Sequence, residues 1–359
     1  MSRSFLQTPF WVKFKEQNGW KAYKVEDIWI LGKNLFGNKS FLYAPEVAWS
    51  QVISHSERSE ESPTNVGSET SSEILRLTPQ NDNILQDILE QIKEISQKTQ
   101  AIFIRLEILD KIDQNIIDKL KENGFIKAFE EIQPEWRQVI DISKSEEEIL
   151  AGMKQKGRYN IKIAEKHNVS IEKSQKIDDF YEIFRQTAKR DGFKIRPLKY
   201  FQDLIQILGQ EGVAELWQAR YNNKTIVAII AVFYDGVASY LYGASSDEFR
   251  NVMAPYLLHW KVIQRAKEKN CQSYDLLAVE PQSHSERSEE SPTNVGFETS
   301  SEILRLTPQN DNNHHKYTGI TRFKEQFGGE KVQIVGSYDY VYKPTYYRLF
   351  KMAEKCRRK

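Results

Sequence analysis

An α/β fold of two tandem domains with mixed sheets is what this sequence predicts, on three observations. Its 359 residues suit two domains of roughly 100–200 residues each. Hydrophobic residues make up 40% of the chain and charged residues 28%, enough apolar material for a sizeable core in water. Strand-length and helix-period apolar segments alternate along both halves. The longest apolar run, Ile226 to Tyr234, is strand-sized and far short of the ~18 residues a membrane span needs. The first residues carry no apolar stretch like that of a secretory signal. Two cysteines, Cys271 and Cys356, make neither a disulfide framework nor a metal quartet. A cytoplasmic protein without a metal is the expectation.

The elements follow in order. Ile28–Leu31 and Ser40–Tyr43 read as strands, in a stretch opened by Trp11 and Trp20. Apolar residues at 84, 85, 88, 92 and 95 form one helical stripe. Ala101–Leu106 is a buried strand, residues 112–123 an amphipathic helix closed by Gly124, and Arg137–Ile142 a further strand. A boundary follows residue 142. Ser145-Glu-Glu-Glu148 has the form of a capping box, predicting one helix to about Lys166. Helices over 178–190 and 198–209 precede a strand over 213–221. Asp235-Gly236 turns a hairpin between Ile226–Tyr234 and Val237–Tyr242. A helix over 254–269 and a strand at Ser273–Ala278 complete the half. This succession is that of an acetyltransferase-like (GNAT-like) mixed sheet, and the first half is a looser version of it.

Two near-identical segments interrupt the chain. Residues 54–83 recur at 283–312 with one change, Ser68 to Phe297. Solenoid repeats adjoin one another, whereas these stand far apart. Their Ser, Glu, Thr, Pro and Asn cannot bury enough apolar surface to offset ordering, so both are expected to be disordered surface insertions, which cost little in closure entropy. Each copy carries six acids and two bases, so removing both takes the net charge from +1 to +9. The underlying protein is basic, as a partner rich in phosphate would require.

Four places could carry chemistry. On the helix expected over 146–166, Lys154, Arg158, Lys162 and Lys166 recur every four residues, a spacing that repels and that an anionic partner such as RNA or a nucleotide would stabilise. Arg196 and Tyr200 lie where a loop meets a helix, and Tyr240 and Tyr242 share one strand parity, so that both hydroxyls should face one pocket; together they suit a phosphate and a stacked base. Arg250-Asn-Val-Met-Ala-Pro255 stands where a coenzyme A site would need glycines for backbone approach to a pyrophosphate, so no such cofactor is expected. Lys324, between Phe323 and Phe327 and ahead of Gly328-Gly329, could hold positive charge where a transition state becomes anionic. His167, His259, His314 and His315 form no cluster in the sequence.

The segments Lys156–Lys166, Tyr240–Ser245 with Arg250–Pro255, and Arg322–Gly329 together resemble the Fem family of non-ribosomal peptidyltransferases (FemABX), across nearly the whole chain outside the insertions. The resemblance implies two GNAT-like domains, 1–142 plus 336–359 and 143–335, with a helix near 345–357 returning to pack on the first. It implies an aminoacyltransferase that moves an amino acid from aminoacyl-tRNA to a stem-peptide amine of UDP-MurNAc-pentapeptide or lipid II, with no cofactor, no DNA, and peripheral association with the inner membrane face. Lys15, Arg196 and Tyr200 match positions that contact a uridine diphosphate, Tyr240 and Tyr242 the same pocket, and Lys324 the charge-stabilising lysine. No charged helical hairpin lies between residues 190 and 270, so the compact form is implied. The competing readings are an acyltransferase with another donor, an RNA-binding module, and a degenerate member without turnover.

Overall fold

The computed structural model describes residues 3–35, 37–49, 79–281 and 314–357, with side chains left undescribed at 79–84, 314–318 and 357. The insertions lie outside the described residues, except that Pro79–Asn83, the tail of the first copy, opens a helix. The chain divides into two compact units, Arg3–Phe129 with Val335–Lys359, and Glu130–Ile334. The first division therefore falls before residue 142, because the strand at 136–141 hydrogen-bonds within the second unit.

In the first unit, Trp11 lies on a helix, α1 (Pro9–Gln17), whose N-cap Thr8 accepts from the Trp11 amide, a start that Pro at the first helical position favours. Strands β1 (Lys21–Val25), β2 (Ile28–Asn34) and β3 (Ser40–Val47) pair antiparallel. Helix α2 (Pro79–Thr99) leads to β4 (Ala101–Lys111), which runs parallel to β3. Then come α3 (Gln114–Glu122) and the short β5 (Ile126–Lys127). The far part of a strand at 330–341 completes the order β1-β2-β3-β4-β12. β3 is buried along its whole length, as a strand covered on both faces must be. Arg105 on β4 makes a bidentate pair with Asp339, both bonds 2.7 Å, and the Tyr347 hydroxyl donates to the same carboxylate at 2.7 Å. The C-terminal helix α10 (Pro344–Arg357) packs Phe350 on Phe103 with ring centroids 5.2 Å apart.

The second unit starts with β6 (Trp136–Asp141) and α4 (Glu146–Gly152). The capping box forms, with Ser145 and Glu148 bonding each other's backbone. One expectation fails here: the helix does not run on to 166. It stops at Gly152, and α5 (Gln155–Lys166) begins anew after the extended Met153 and Lys154. Met153 is buried, and turning it inward requires leaving the helical path. β7 (Ser170–Ser174), α6 (Ile177–Asp191) and α7 (Leu198–Gln210) follow, then β8 (Ala214–Tyr221), β9 (Lys224–Tyr234) and β10 (Val237–Ser245). α8 (Ala254–Glu268), β11 (Ser273–Ala278), α9 (His314–Lys324) and β12 (Glu330–Val341) close the unit. The sheet order is β12-β6-β11-β10-β9-β8-β7, with β10 and β11 parallel and the other described pairs antiparallel. The mixed α/β class is as the sequence predicts.

One irregularity sets the site. Tyr240 pairs with Ala231 on β9 while Tyr242 pairs with Ile230. Two steps along β10 match one step along β9, so Leu241 is the extra residue of a β-bulge.

Candidate functional site

Lys324 ends α9 and is only 1% exposed. Its Nζ donates to the Ala278 carbonyl at the end of β11, 2.6 Å away, and stands 5.8 Å from the Tyr240 ring centroid. An ammonium this deep is tolerated because a carbonyl and an aromatic face replace water. Phe323 and Phe327 pack on Tyr256 at 5.0 and 5.7 Å and on His259 at 5.5 and 5.1 Å. The lysine is thus anchored at its root by rings and at its tip by a carbonyl.

His259 is the residue that sequence reasoning missed. It is fully buried on α8, with Nδ1 2.8 Å from the Tyr274 hydroxyl and its ring 4.7 Å from that of Tyr240. Among the described residues Nε2 has no hydrogen-bond partner. Burial, reinforced by the Lys324 ammonium, pulls its pKa down to about 3, so the imidazole beside Lys324 is neutral at physiological pH. In the sequence it joins no cluster; its meaning comes from Tyr274 and Lys324, distant along the chain.

The three most specific sequence segments meet around this cluster. A Cβ on Gly157 of α5 would overlap the Gln326 carbonyl, and a Cβ on Gly328 would overlap that of Gly152. The Lys154 amide donates to the Gln326 carbonyl at 3.0 Å, and Gln138 of β6 donates to the Gly328 carbonyl at 2.6 Å. Gly243 plays the same part for Tyr240, whose hydroxyl lies where a Cβ would go. Close backbone approach, available only where the side chain is a hydrogen, fixes the turn that carries Lys324.

Tyr242 is elsewhere. The bulge puts it on the opposite face of the sheet from Tyr240, correcting the expectation that both hydroxyls share a pocket. Its hydroxyl is 3.3 Å from that of Tyr200, and its ring packs on Phe201 at 5.2 Å and Phe184 at 6.3 Å. The Arg196 guanidinium lies over the Tyr200 ring at 5.7 Å. Burial raises the pKa of both tyrosines. Arg196, Tyr200 and Tyr242 therefore form one group; Tyr240 and Lys324 form another. Lys15 belongs to the first unit, where it is buried with Nζ 4.4 Å from the Trp20 ring and 5.6 Å from Trp11; its neighbour Lys13 is exposed.

The four expected basic positions do not form one stripe. Lys154 caps α5 and pairs with Glu325 at 3.0 Å. The Arg158 guanidinium bonds the carbonyls of Leu150, Ala151 and Met153 at the end of α4, capping work for a cation. Lys162 and Lys166 remain exposed on α5. Among the described residues no group of three His, Cys, Asp or Glu could hold a metal ion, and no helix is long and apolar enough to cross a membrane.

An α/β unit that buries a lysine in an aromatic frame at a strand end, locked by glycine contacts, has recognisable relatives. The FemAB family profile matches residues 76–222 and 210–288, and the chain belongs to that family. The lipid II:glycine glycyltransferase of Staphylococcus haemolyticus (strain JCSC1435) is 21% identical over 345 residues, 75% of this chain and 76% of the relative. That of Staphylococcus aureus (strain USA300) is 21% identical over 351 residues, 76% and 77% of the two chains. The crystal structure of FemX shares the fold with a TM-score of 0.72 at 18% identity, covering 97% of this chain and 94% of that one. The structure of L-PGS from Bacillus licheniformis is similar with a TM-score of 0.53 at 11% identity, over 99% and 92%.

Proposed function

We propose that this protein is an aminoacyltransferase that moves an amino acid from aminoacyl-tRNA to a stem-peptide amine of a peptidoglycan precursor, building an interpeptide bridge. The names of the glycyltransferase relatives favour lipid II as the acceptor. The observation that carries the reading is the ammonium of Lys324, held in a dry aromatic frame against Ala278.

The ester of an aminoacyl-tRNA is already activated, so the protein has to align an amine against the carbonyl and stabilise the oxyanion. Lys324 has three N–H donors, of which Ala278 takes one. An N–H of that ammonium would meet the carbonyl oxygen as it becomes negative. The amine nitrogen forms the amide bond, the carbon–oxygen bond to the terminal ribose breaks, and the ribose oxygen leaves with the proton that the amine loses. Neutral His259 adds no competing charge beside the ammonium. Because Lys324 is 1% exposed, turnover includes a step that opens the segment around it. Arg196, with Tyr200 and Tyr242, would bind the phosphates and uracil of a nucleotide-linked precursor.

The test is transfer of radiolabelled amino acids from a mixed charged tRNA pool to UDP-MurNAc-pentapeptide and, separately, to lipid II. Label in a precursor, lost when the donor is treated with ribonuclease, is expected. No label in either acceptor would overturn the reading in favour of another acyl donor.

A further inference from the structure

Among the described residues, the C-terminal helix α10 is held by one face and bare on the other. Inward, Tyr347 bonds Asp339, Phe350 packs on Phe103, Phe41 and Phe129, and Glu354 is buried. Outward, Leu349 is 50% exposed and Met352 64%, with Tyr346 at 39%. They fall at intervals of three, on one stripe of a helix. Arg348 and Lys355 flank the stripe and are exposed; neither makes an ion pair among the described residues. The only acid of the helix, Glu354, is buried, so the helix's own outer face carries cations and no carboxylate. Lys39 adds a further ammonium 5.3 Å from the Tyr346 ring.

An exposed Leu and Met beside unopposed cations is an odd surface for water or for nucleic acid, since a phosphate backbone offers nothing for a thioether or an isobutyl group. A bilayer rich in anionic lipid offers both: acyl chains for the apolar stripe and head-group phosphates for the cations. We propose that the outer face of α10, centred on Leu349 and Met352, docks the protein on an anionic membrane surface, with the stripe at the depth of the acyl-chain boundary. This rests on the reading above with lipid II as the acceptor, and deepens it by naming the surface that meets the membrane.

The experiment is flotation of the full chain with vesicles of phosphatidylglycerol and phosphatidylcholine, against vesicles of phosphatidylcholine alone. The wild type is expected on the anionic vesicles, weakened by added salt. Leu349→Glu with Met352→Glu should reduce that partition at least about tenfold, and so should Arg348→Gln with Lys355→Gln, which leaves the apolar stripe intact. Equal partition of all three proteins, or equal partition on the two vesicle types, would overturn the proposal. So would a loss of tRNA binding in these variants with vesicle partition unchanged, which would make α10 a nucleic-acid contact. In transfer assays, both double variants should lose rate on lipid II in vesicles while labelling soluble UDP-MurNAc-pentapeptide as the wild type does. If the wild type labels neither acceptor but floats as expected, the proposed reaction fails and the docking surface stands.

Discussion

The two faces of the β10 strand make opposite uses of the same amino acid. Tyr240 faces a sealed cluster with Lys324, His259, Phe323 and Phe327, in which a cation has a carbonyl and rings for neighbours. Tyr242, two residues on, faces Tyr200 and, beyond it, the partly exposed Arg196. A single bulge residue separates a site suited to stabilising charge in a reaction from one suited to gripping a ligand. The lesson is that proximity in sequence, even at strand parity, does not make one pocket.

Breaking the sealed face should have the largest effect. Lys324→Met keeps the volume and removes the charge; transfer should fall by roughly 10²–10³-fold, the cost of losing one oxyanion donor, with KM little changed in steady-state assays. Unchanged turnover would end the charge-stabilising role. Gly243→Ala touches the same face indirectly, because its Cβ must displace the Tyr240 hydroxyl. About 1–3 kcal/mol of stability should be lost in urea melts, along with most of the activity, while affinity for a nucleotide-linked precursor, a property of the other face, stays within error.

His259 sharpens the contrast through pH. Its folded pKa near 3 lies below the ordinary ~6.5 of an unfolded histidine. Between these values the unfolded chain takes up a proton that the folded chain refuses. Stability is therefore full above about pH 6.5 and falls as pH drops towards 3, by up to roughly 1.4 kcal/mol per pH unit from this group. His259→Gln should flatten that slope in melts taken between pH 4.5 and 7, and an unaltered slope would show that His259 is not its source. The smallest effect belongs to the Tyr200 side: Tyr242→Phe deletes one hydroxyl contact, worth about 0.5–1.5 kcal/mol, and should raise KM for the nucleotide-linked acceptor several-fold with kcat intact.

What the sequence revealed was governed by local rules. The hairpin at Asp235-Gly236 was legible because both residues adopt positive φ, 46° and 76°, as its turn demands. The capping box at Ser145 was legible for the same kind of reason, and the strand expected at Ser273–Ala278 stands at those residues. What escaped depended on partners far along the chain. The helix break at Met153 follows from burying that side chain and from the Lys154 amide reaching Gln326. The bulge at Leu241 shows only in the pairing with β9. His259 is one of nine buried residues on its helix, and nothing within a few positions of it marks a histidine that will meet Tyr274. For the candidate site, Lys324 and its flanking phenylalanines were legible as a motif, whereas the division of the tyrosines between two faces was not.

The glycines that clamp the Lys324 turn have a consequence for how this family can drift. At Gly157 and Gly328 the missing side chain is occupied by another segment's backbone carbonyl, and a carbonyl cannot change rotamer to make room. A survey of all single substitutions should thus find these positions as intolerant as Lys324, but for a separable reason. Variants at Lys324 would accumulate as folded, inactive protein, while variants at the glycines would disappear from the soluble pool. Reading abundance and turnover side by side would sort the motif into residues selected for rate and residues selected for the absence of a side chain.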